Sequence, residues 1–303
     1  MAVIEVAGLV KTYDHRNVVD GVSFTVDQGE IFGIVGPNGA GKTTIVESIE
    51  GLRRPDGGSI RVLGLEPITD RLELTQRVGA QLQESRLQDK VRVSEILATY
   101  ASFYRNPADW HELMGRFGLE GREQAKYGDL SGGQKQRLSA ALALVGSPEI
   151  AVLDELTTGL DPAARRSTWE TVERIRDSGV TVVLVTHYMD EAERLCDRIM
   201  VIVDGRDVTT GSPNELIAQA GFGHTLRFYP SVPVEDATFS ELPGVTDIRR
   251  DGGQITITGT GDVVYSVVLT LAQGGVIARD LQIEQASLED AYLALTGSSE
   301  VID

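Results

Sequence analysis

Residues 36–43 read Gly-Pro-Asn-Gly-Ala-Gly-Lys-Thr, a complete G-x-x-x-x-G-K-[ST] phosphate loop. Gly36, Gly39 and Gly41 allow backbone angles and close approach that a Cβ obstructs. The loop's N–H groups can then turn inward onto phosphates, backed by the positive end of the next helix. Lys42 is placed to reach the β- and γ-phosphates, and the Thr43 hydroxyl to bind Mg2+. The first expectation is therefore binding of a nucleoside triphosphate.

Further stretches concern the chemistry that comes after binding. The apolar run Ile150-Ala151-Val152-Leu153 ends in Asp154-Glu155. Adjacent carboxylates leaving a buried strand need a counter-charge, and a Mg2+–ATP complex supplies one. Asp154 is expected to hold Mg2+ and Glu155 to polarise or orient the attacking water. His187 comes directly after the run Thr181–Thr186, where an imidazole can hydrogen-bond a γ-phosphate and sense its loss. Leu130-Ser131-Gly132-Gly133-Gln134 precedes a helix. A serine and two glycines at a helix start form a second anion site. One ATP cannot easily use both helix ends within a single subunit. A two-fold dimer resolves this, with ATP held between the loop of one copy and the second motif of the other.

The elements that must position these residues can be read from the pattern. Strands are expected over 3–10, 22–27, 31–35, 59–62, 150–154, 180–186 and 199–203. Helices are expected over 43–50, 92–117 with a break near Asn106-Pro107, 132–145, 162–178 and 189–195. Strands alternating with helices argue for an α/β core with mostly parallel pairing. Composition shifts near 221. Beyond it stand four arginines, no lysine and twelve acidic residues. This tail reads as a small α+β unit, with strands at 224–229, 246–250, 254–258 and 276–284 and helices at 261–273 and 286–296.

The 303 residues suffice for one large domain and a smaller one, and the 41% apolar content leaves enough for a real core. The net charge of −17 opposes nucleic-acid backbones. It does not oppose ATP, whose site is built locally from N–H groups and one or two cations. Cys196 is the only cysteine, so a reducing compartment is expected. No segment reads as a membrane span, since the most apolar stretch, 138–153, carries Ser147, Pro148 and Glu149.

Taken together, the motifs resemble the ATP-binding-cassette (ABC) ATPases over about residues 2–220. Gly36, Pro37, Asn38, Gly39, Ala40, Gly41, Lys42, Thr43 and Thr44 resemble the family's Walker A. Leu130–Gln134 resembles its signature motif, and Ile150–Glu155 its Walker B. The resemblance implies a P-loop NTPase fold: a RecA-like core, an antiparallel β subdomain and a helical subdomain, here over 1–220, with an accessory α+β domain over 221–303. It implies that Ser131, Gly132, Gly133 and Gln134 contact nucleotide, and that Asp161, in a D-loop, faces the partner subunit. It makes His187 the switch histidine and Tyr13 the ring that stacks on adenine. Gln83 resembles the Q-loop glutamine that touches Mg2+ and the membrane partner, with Gln81 as a nearby competitor. Leu156 departs from the family, which usually has proline after the catalytic glutamate.

The tail segment Ser287–Gly297 resembles the C-terminal extension of daunorubicin/multidrug-resistance exporter subunits. The implied protein is the ATPase subunit of an exporter of drugs, antibiotics or lipid-like compounds. It would work as a homodimer or paired cassette at the cytoplasmic face of the membrane, on a separate permease, with ATP and Mg2+. An importer subunit is the nearest alternative. A non-transport ATPase acting on ribosomes or DNA fits less well: Gln83 to Leu130 is too short for an inserted coiled coil, and there is one cassette. A regulatory module that closes without turnover has only Leu156 in its favour.

Overall fold

The computed structural model describes the chain except residues 82–86, 159, 222 and 297–303. It divides into two compact units between Thr210 and Gly211.

The first unit opens with a hairpin, β1 (Ala2–Tyr13) and β2 (Arg16–Asp27), longer than the sequence pattern suggests. The two strands meet at a two-residue turn, Asp14-His15, with φ of 46° and 63°. Both values are positive, as the tight hairpin turn matching strand twist requires. Then come β3 (Ile31–Val35), α1 (Lys42–Ile49), β4 (Gly57–Val62), α2 (Arg71–Leu74) and β5 (Val78–Ala80). The helical segment consists of α3 (Val93–Ala101), α4 (Trp110–Arg116) and α5 (Gly132–Leu144). The break expected near Asn106-Pro107 is present, and Asp109 caps α4 by accepting from His111 N–H at 2.9 Å. The remainder is β6 (Ile150–Asp154), α6 (Pro162–Asp177), β7 (Thr181–Thr186), α7 (Met189–Leu195), β8 (Arg198–Val203) and β9 (Arg206–Gly211).

These strands form two sheets. The antiparallel one runs β2-β1-β4. On β2 the burial alternates, with Val22, Phe24 and Val26 inward, as a sheet wet on one face demands. The other sheet runs β5-β6-β7-β3-β8-β9, with parallel pairing from β5 through to β8. Every residue of β3, β6 and β7 is buried, which explains their uninterrupted apolar runs. The rings of Phe24 and Phe32 stack at 5.3 Å and join the two sheets in one core with Ile34, Ile45, Val152 and Val185. This arrangement is the expected cassette fold.

The second unit contains α8 (Pro213–Gln219), β10 (His224–Pro230), α9 (Ala237–Ser240), β11 (Val245–Asp251), β12 (Gln254–Gly259), α10 (Val263–Gln273), β13 (Ala278–Gln285) and α11 (Leu288–Thr296). Its antiparallel sheet runs β11-β12-β10-β13. Phe228, Phe239, Ile255, Ile257, Val263 and Val267 form its own core. The unit begins before the composition shift at 221 because α8 packs on α11. Among the described residues no helix is long and apolar enough to cross a membrane.

The fit of β5 against α5 leaves no spare room. A Cβ on Gly79 would lie 1.8 Å from the Ala143 carbonyl oxygen. Gly79→Ala is expected to lower stability in urea unfolding by about 1–3 kcal/mol, the usual penalty for overpacking.

Candidate functional site

Parallel pairing brings the ends of three strands to one edge. Val35 lies opposite Thr186, and Asp154 opposite Val185. The chain therefore delivers the phosphate loop after β3, the two carboxylates after β6 and His187 after β7 to the same rim, where α/β sheets place their ligands.

The loop is tightly braced. A Cβ on Gly36 would lie 2.2 Å from the Ile202 carbonyl oxygen, and one on Gly41, at φ 102°, would lie 2.6 Å from that of Val18. The Gly205 N–H donates to the Ala40 carbonyl at 3.1 Å, so the β8–β9 turn supports the loop from behind. The motif does not disclose this contact, because β9 carries no apolar run of its own. No side chain caps α1. Its first N–H groups lack intrahelical partners and stay open to an anion.

Lys42 is buried, and its Nζ donates to the carbonyls of Gly36 at 2.8 Å and Pro37 at 3.1 Å. Desolvation lowers its pKa, while Glu155 and Asp154 oppose that shift. Asp154 is only 6% exposed. Burial, reinforced by Glu155, pushes its carboxyl up to about 6 despite Lys42. The His187 Nδ1 stands 3.3 Å from Glu155 Oε1, without an aligned hydrogen bond.

Glu155 has φ 47°, an uncommon conformation for a residue other than glycine. Its N–H donates to the Val185 carbonyl at 2.9 Å, and its carbonyl accepts from Gln136 Nε2 at 3.2 Å. Leu156 is relevant here, since a proline would push the preceding residue towards extended angles. Gln136, on α5, gives no signal in the sequence, because its partner is a backbone atom on another element.

Ser131 and Gln134 are engaged with each other. Ser131 Oγ accepts from Gln134 N–H at 3.3 Å, and Gln134 Oε1 accepts from Ser131 N–H at 3.0 Å, a capping box for α5. Gly132 and Gly133 lie in the first turn behind it. Asp161 caps α6, accepting from Ala163 N–H at 2.9 Å and Ala164 N–H at 3.0 Å, and these bonds hold its carboxyl below the usual range. No hydrogen bond among the described residues joins Ser131–Gln134 or Asp161 to the phosphate loop. The Tyr13 ring has Lys11 Nζ at 5.5 Å and the Arg53 guanidinium at 5.2 Å from its centroid. Gln83 lies outside the described residues. Gln81 is buried, and its Oε1 has no partner among the described residues.

Among the described residues no cluster of three or more His, Cys, Asp or Glu could hold a metal alone. The donor set suits Mg2+ nevertheless. That ion takes one or two carboxylates and fills its shell with phosphate oxygens and water. A divalent cation would relieve the reluctance of Asp154 to ionise beside Glu155.

The fold and this rim define an ABC-type ATP-binding cassette. A family model described as "ABC transporter" matches residues 19–158. The Nod factor export ATP-binding protein I of Burkholderia pseudomallei is 42% identical over 309 residues, covering 100% of this chain and 99% of that protein. The chain belongs to the ABC transporter family, as an ATP-binding subunit of the kind whose ATPase activity is coupled to transport. A solved structure of an ATP-binding subunit of an ABC transporter superposes with a TM-score of 0.66 at 29% identity, covering 72% of this chain and 93% of its own. A dimeric ATP-binding cassette in a post-hydrolysis state, bound to ADP and phosphate, superposes with a TM-score of 0.62 at 25% identity, over 69% of this chain and 98% of its own.

A third acid, at the C-terminal end of α1, gives a pH test. Burial, then Asp154 and Glu47, push the Glu50 carboxyl up to about 8 from 4.5. Glu50 therefore takes up a proton on folding. The stability linked to it is complete below pH 4.5 and is lost as the pH rises towards 8. Nucleotide-free Glu50→Gln protein should outlast the wild type in urea at pH 8 by a few kcal/mol, on the order of 1.4 per pH unit across that window. The two should converge at low pH.

Proposed function

We propose that this chain is the ATP-hydrolysing subunit of an exporter, working as a closed dimer on a separate membrane permease at the cytoplasmic face. The observation that carries the reading is the convergence of Lys42, Asp154, Glu155 and His187 on one sheet edge, within a chain matched end to end by an export ATPase subunit. The name of that relative, and the tail's resemblance to drug-exporter subunits, support a bulky amphiphilic cargo: a drug, an antibiotic or a lipid-like compound. Cargo contacts would belong to the permease, with the coupling surface near Gln83 and residues 92–118.

In this reading Gly36–Thr44 cradles the phosphates. Lys42 leaves the Gly36 and Pro37 carbonyls for the β- and γ-phosphate oxygens, exchanging two neutral acceptors for charged ones. Mg2+ would be held by Thr43 and Asp154, with Gln83, and would neutralise phosphate charge. Glu155 accepts a proton from, or orients, the attacking water. His187, next to that carboxylate, holds the γ-phosphate and registers its departure. Tyr13 takes the adenine. Ser131, Gly132, Gly133 and Gln134 of the partner subunit close over the γ-phosphate, with Asp161 at the seam. This deployment puts the Glu155 strain and the Gln136 bond at the place where closure is felt.

Glu155→Gln should lower kcat by about 10²- to 10⁴-fold, the usual contribution of a general base. ATP-dependent dimerisation, monitored by size-exclusion chromatography, should persist. Wild-type turnover no higher than the variant's would show a binding module instead of an ATPase. Purification of the tagged chain from gently solubilised membranes should recover a polytopic permease. Recovery of ribosomes or DNA in its place would overturn the transport reading.

A further inference from the structure

Glu191 is fully buried, and the mechanism above makes no use of it. It lies in the first turn of α7, just beyond His187. Its Oε1 accepts from Trp169 Nε1 at 3.1 Å. Burial drives its carboxyl pKa upward, and the Thr186, Thr157 and Trp169 side chains favour its charged form in return. The Thr157 hydroxyl and Glu191 Oε2 stop short of full hydrogen-bond geometry with any partner. A carboxylate taken out of water at this depth is costly unless several groups converge on it.

The groups that converge come from three parts of the rim. Thr186 directly precedes His187. Thr157 lies between Glu155 and Asp161. Trp169 is on α6, the helix whose first turn Asp161 caps. Flanking contacts repeat the link between α6 and α7. Arg165 Nη1 is 3.3 Å from Asp190 Oδ2, with its guanidinium 4.6 Å from the Tyr188 ring centroid. Glu173 Oε1 is 3.2 Å from Arg194 Nε. Arg165, Trp169 and Glu173 recur every fourth residue, so they share one face of α6. The outer pairs reach water and bind weakly. The central contact, made by the fully buried Glu191, is the one best shielded from water and so the strongest tie between the two helices.

We propose that Glu191 is a positioning residue for ATP hydrolysis, tying the turn that carries His187 to the helix that begins at Asp161. Closure of a partner subunit against Asp161 is then transmitted to His187 through Trp169 and Glu191. The proposal rests on the roles given above to His187 and Asp161. It needs an acceptor at Oε1, not a charge, so glutamine should serve nearly as well as glutamate.

The test measures kcat, KM for ATP and melting temperature for Glu191→Ala, Glu191→Gln and Trp169→Phe, each alone and combined with His187→Ala. Trp169→Phe keeps the carboxylate and most of the ring volume, so it reports even where Glu191→Ala does not fold. Glu191→Ala and Trp169→Phe should lower kcat about tenfold, as a displaced reacting group does, with KM unchanged. Glu191→Gln should retain most of the activity. In the His187→Ala background neither change should remove anything further, because groups acting through one residue are not additive. Wild-type kcat in Trp169→Phe overturns the proposal, as does a rise in KM at unchanged kcat. A full additive loss in the double variants, with His187→Ala itself impaired, also overturns the proposal, because Glu191 would then act independently of His187. Wild-type turnover in His187→Ala overturns the role of His187, and the proposal with it.

Discussion

Two adjacent carboxylates at the dry end of a parallel strand set the terms for everything around them. Asp154 and Glu155 leave β6 where water is scarce, and their mutual repulsion adds to burial in lifting the Asp154 carboxyl to about 6. Only Lys42 acts to hold it ionised, and Lys42 is itself buried and tied to loop carbonyls. A phosphate–cation complex would relieve the imbalance of charge at this rim. The depth of the sheet matters for this reason: β3, β6 and β7 must be fully buried for the imbalance of charge to be felt.

The strain at Glu155 belongs to the same logic. A positive φ at a non-glycine residue costs on the order of 1–3 kcal/mol and persists only where its surroundings hold it. Here β7 takes its N–H and α5 takes its carbonyl through Gln136. The carboxylate that would act on water is thus gripped by the strand that ends just before His187 and by the helix that begins with the second anion motif. A movement of either element bears directly on its backbone. Leu156, the departure from the family's usual proline, does not disfavour this conformation as a proline would.

Much of this is legible in the sequence, and the rest escapes for physical reasons. The phosphate loop, the Asp154-Glu155 strand end and the parallel core announce themselves through local patterns: glycine spacing, apolar runs and alternation of elements. The break at Asn106-Pro107 and the capping of α5 by Ser131 are equally local. β9 escapes because Arg206–Gly211 carries too few apolar residues to show a period, whereas α8 does have a local start signal, the Ser212–Glu215 capping box with Pro213 at its first position. β9 is held by its neighbours and α8 by α11. Gln136 and Glu191 are invisible because their partners lie far away in the chain or on the backbone. The same locality shapes the expectation for Ser131, Gln134 and Asp161. Their side chains cap their own helices in this structure, which their reading as nucleotide and partner contacts does not disclose.

The acidity of the chain then acquires a specific consequence. Around Lys42 stand Asp154 and Glu155, and Glu47 adds to the repulsion felt by Asp154. Two carboxylates against one ammonium would make the rim unfavourable to a free, fully charged triphosphate, since each added negative charge meets poorly screened repulsion at short range. A triphosphate carrying a divalent cation brings less net charge and supplies the positive centre that Asp154 lacks. The arrangement that raises the carboxyl of Asp154 is therefore one that a metal-bound triphosphate would suit better than the bare nucleotide.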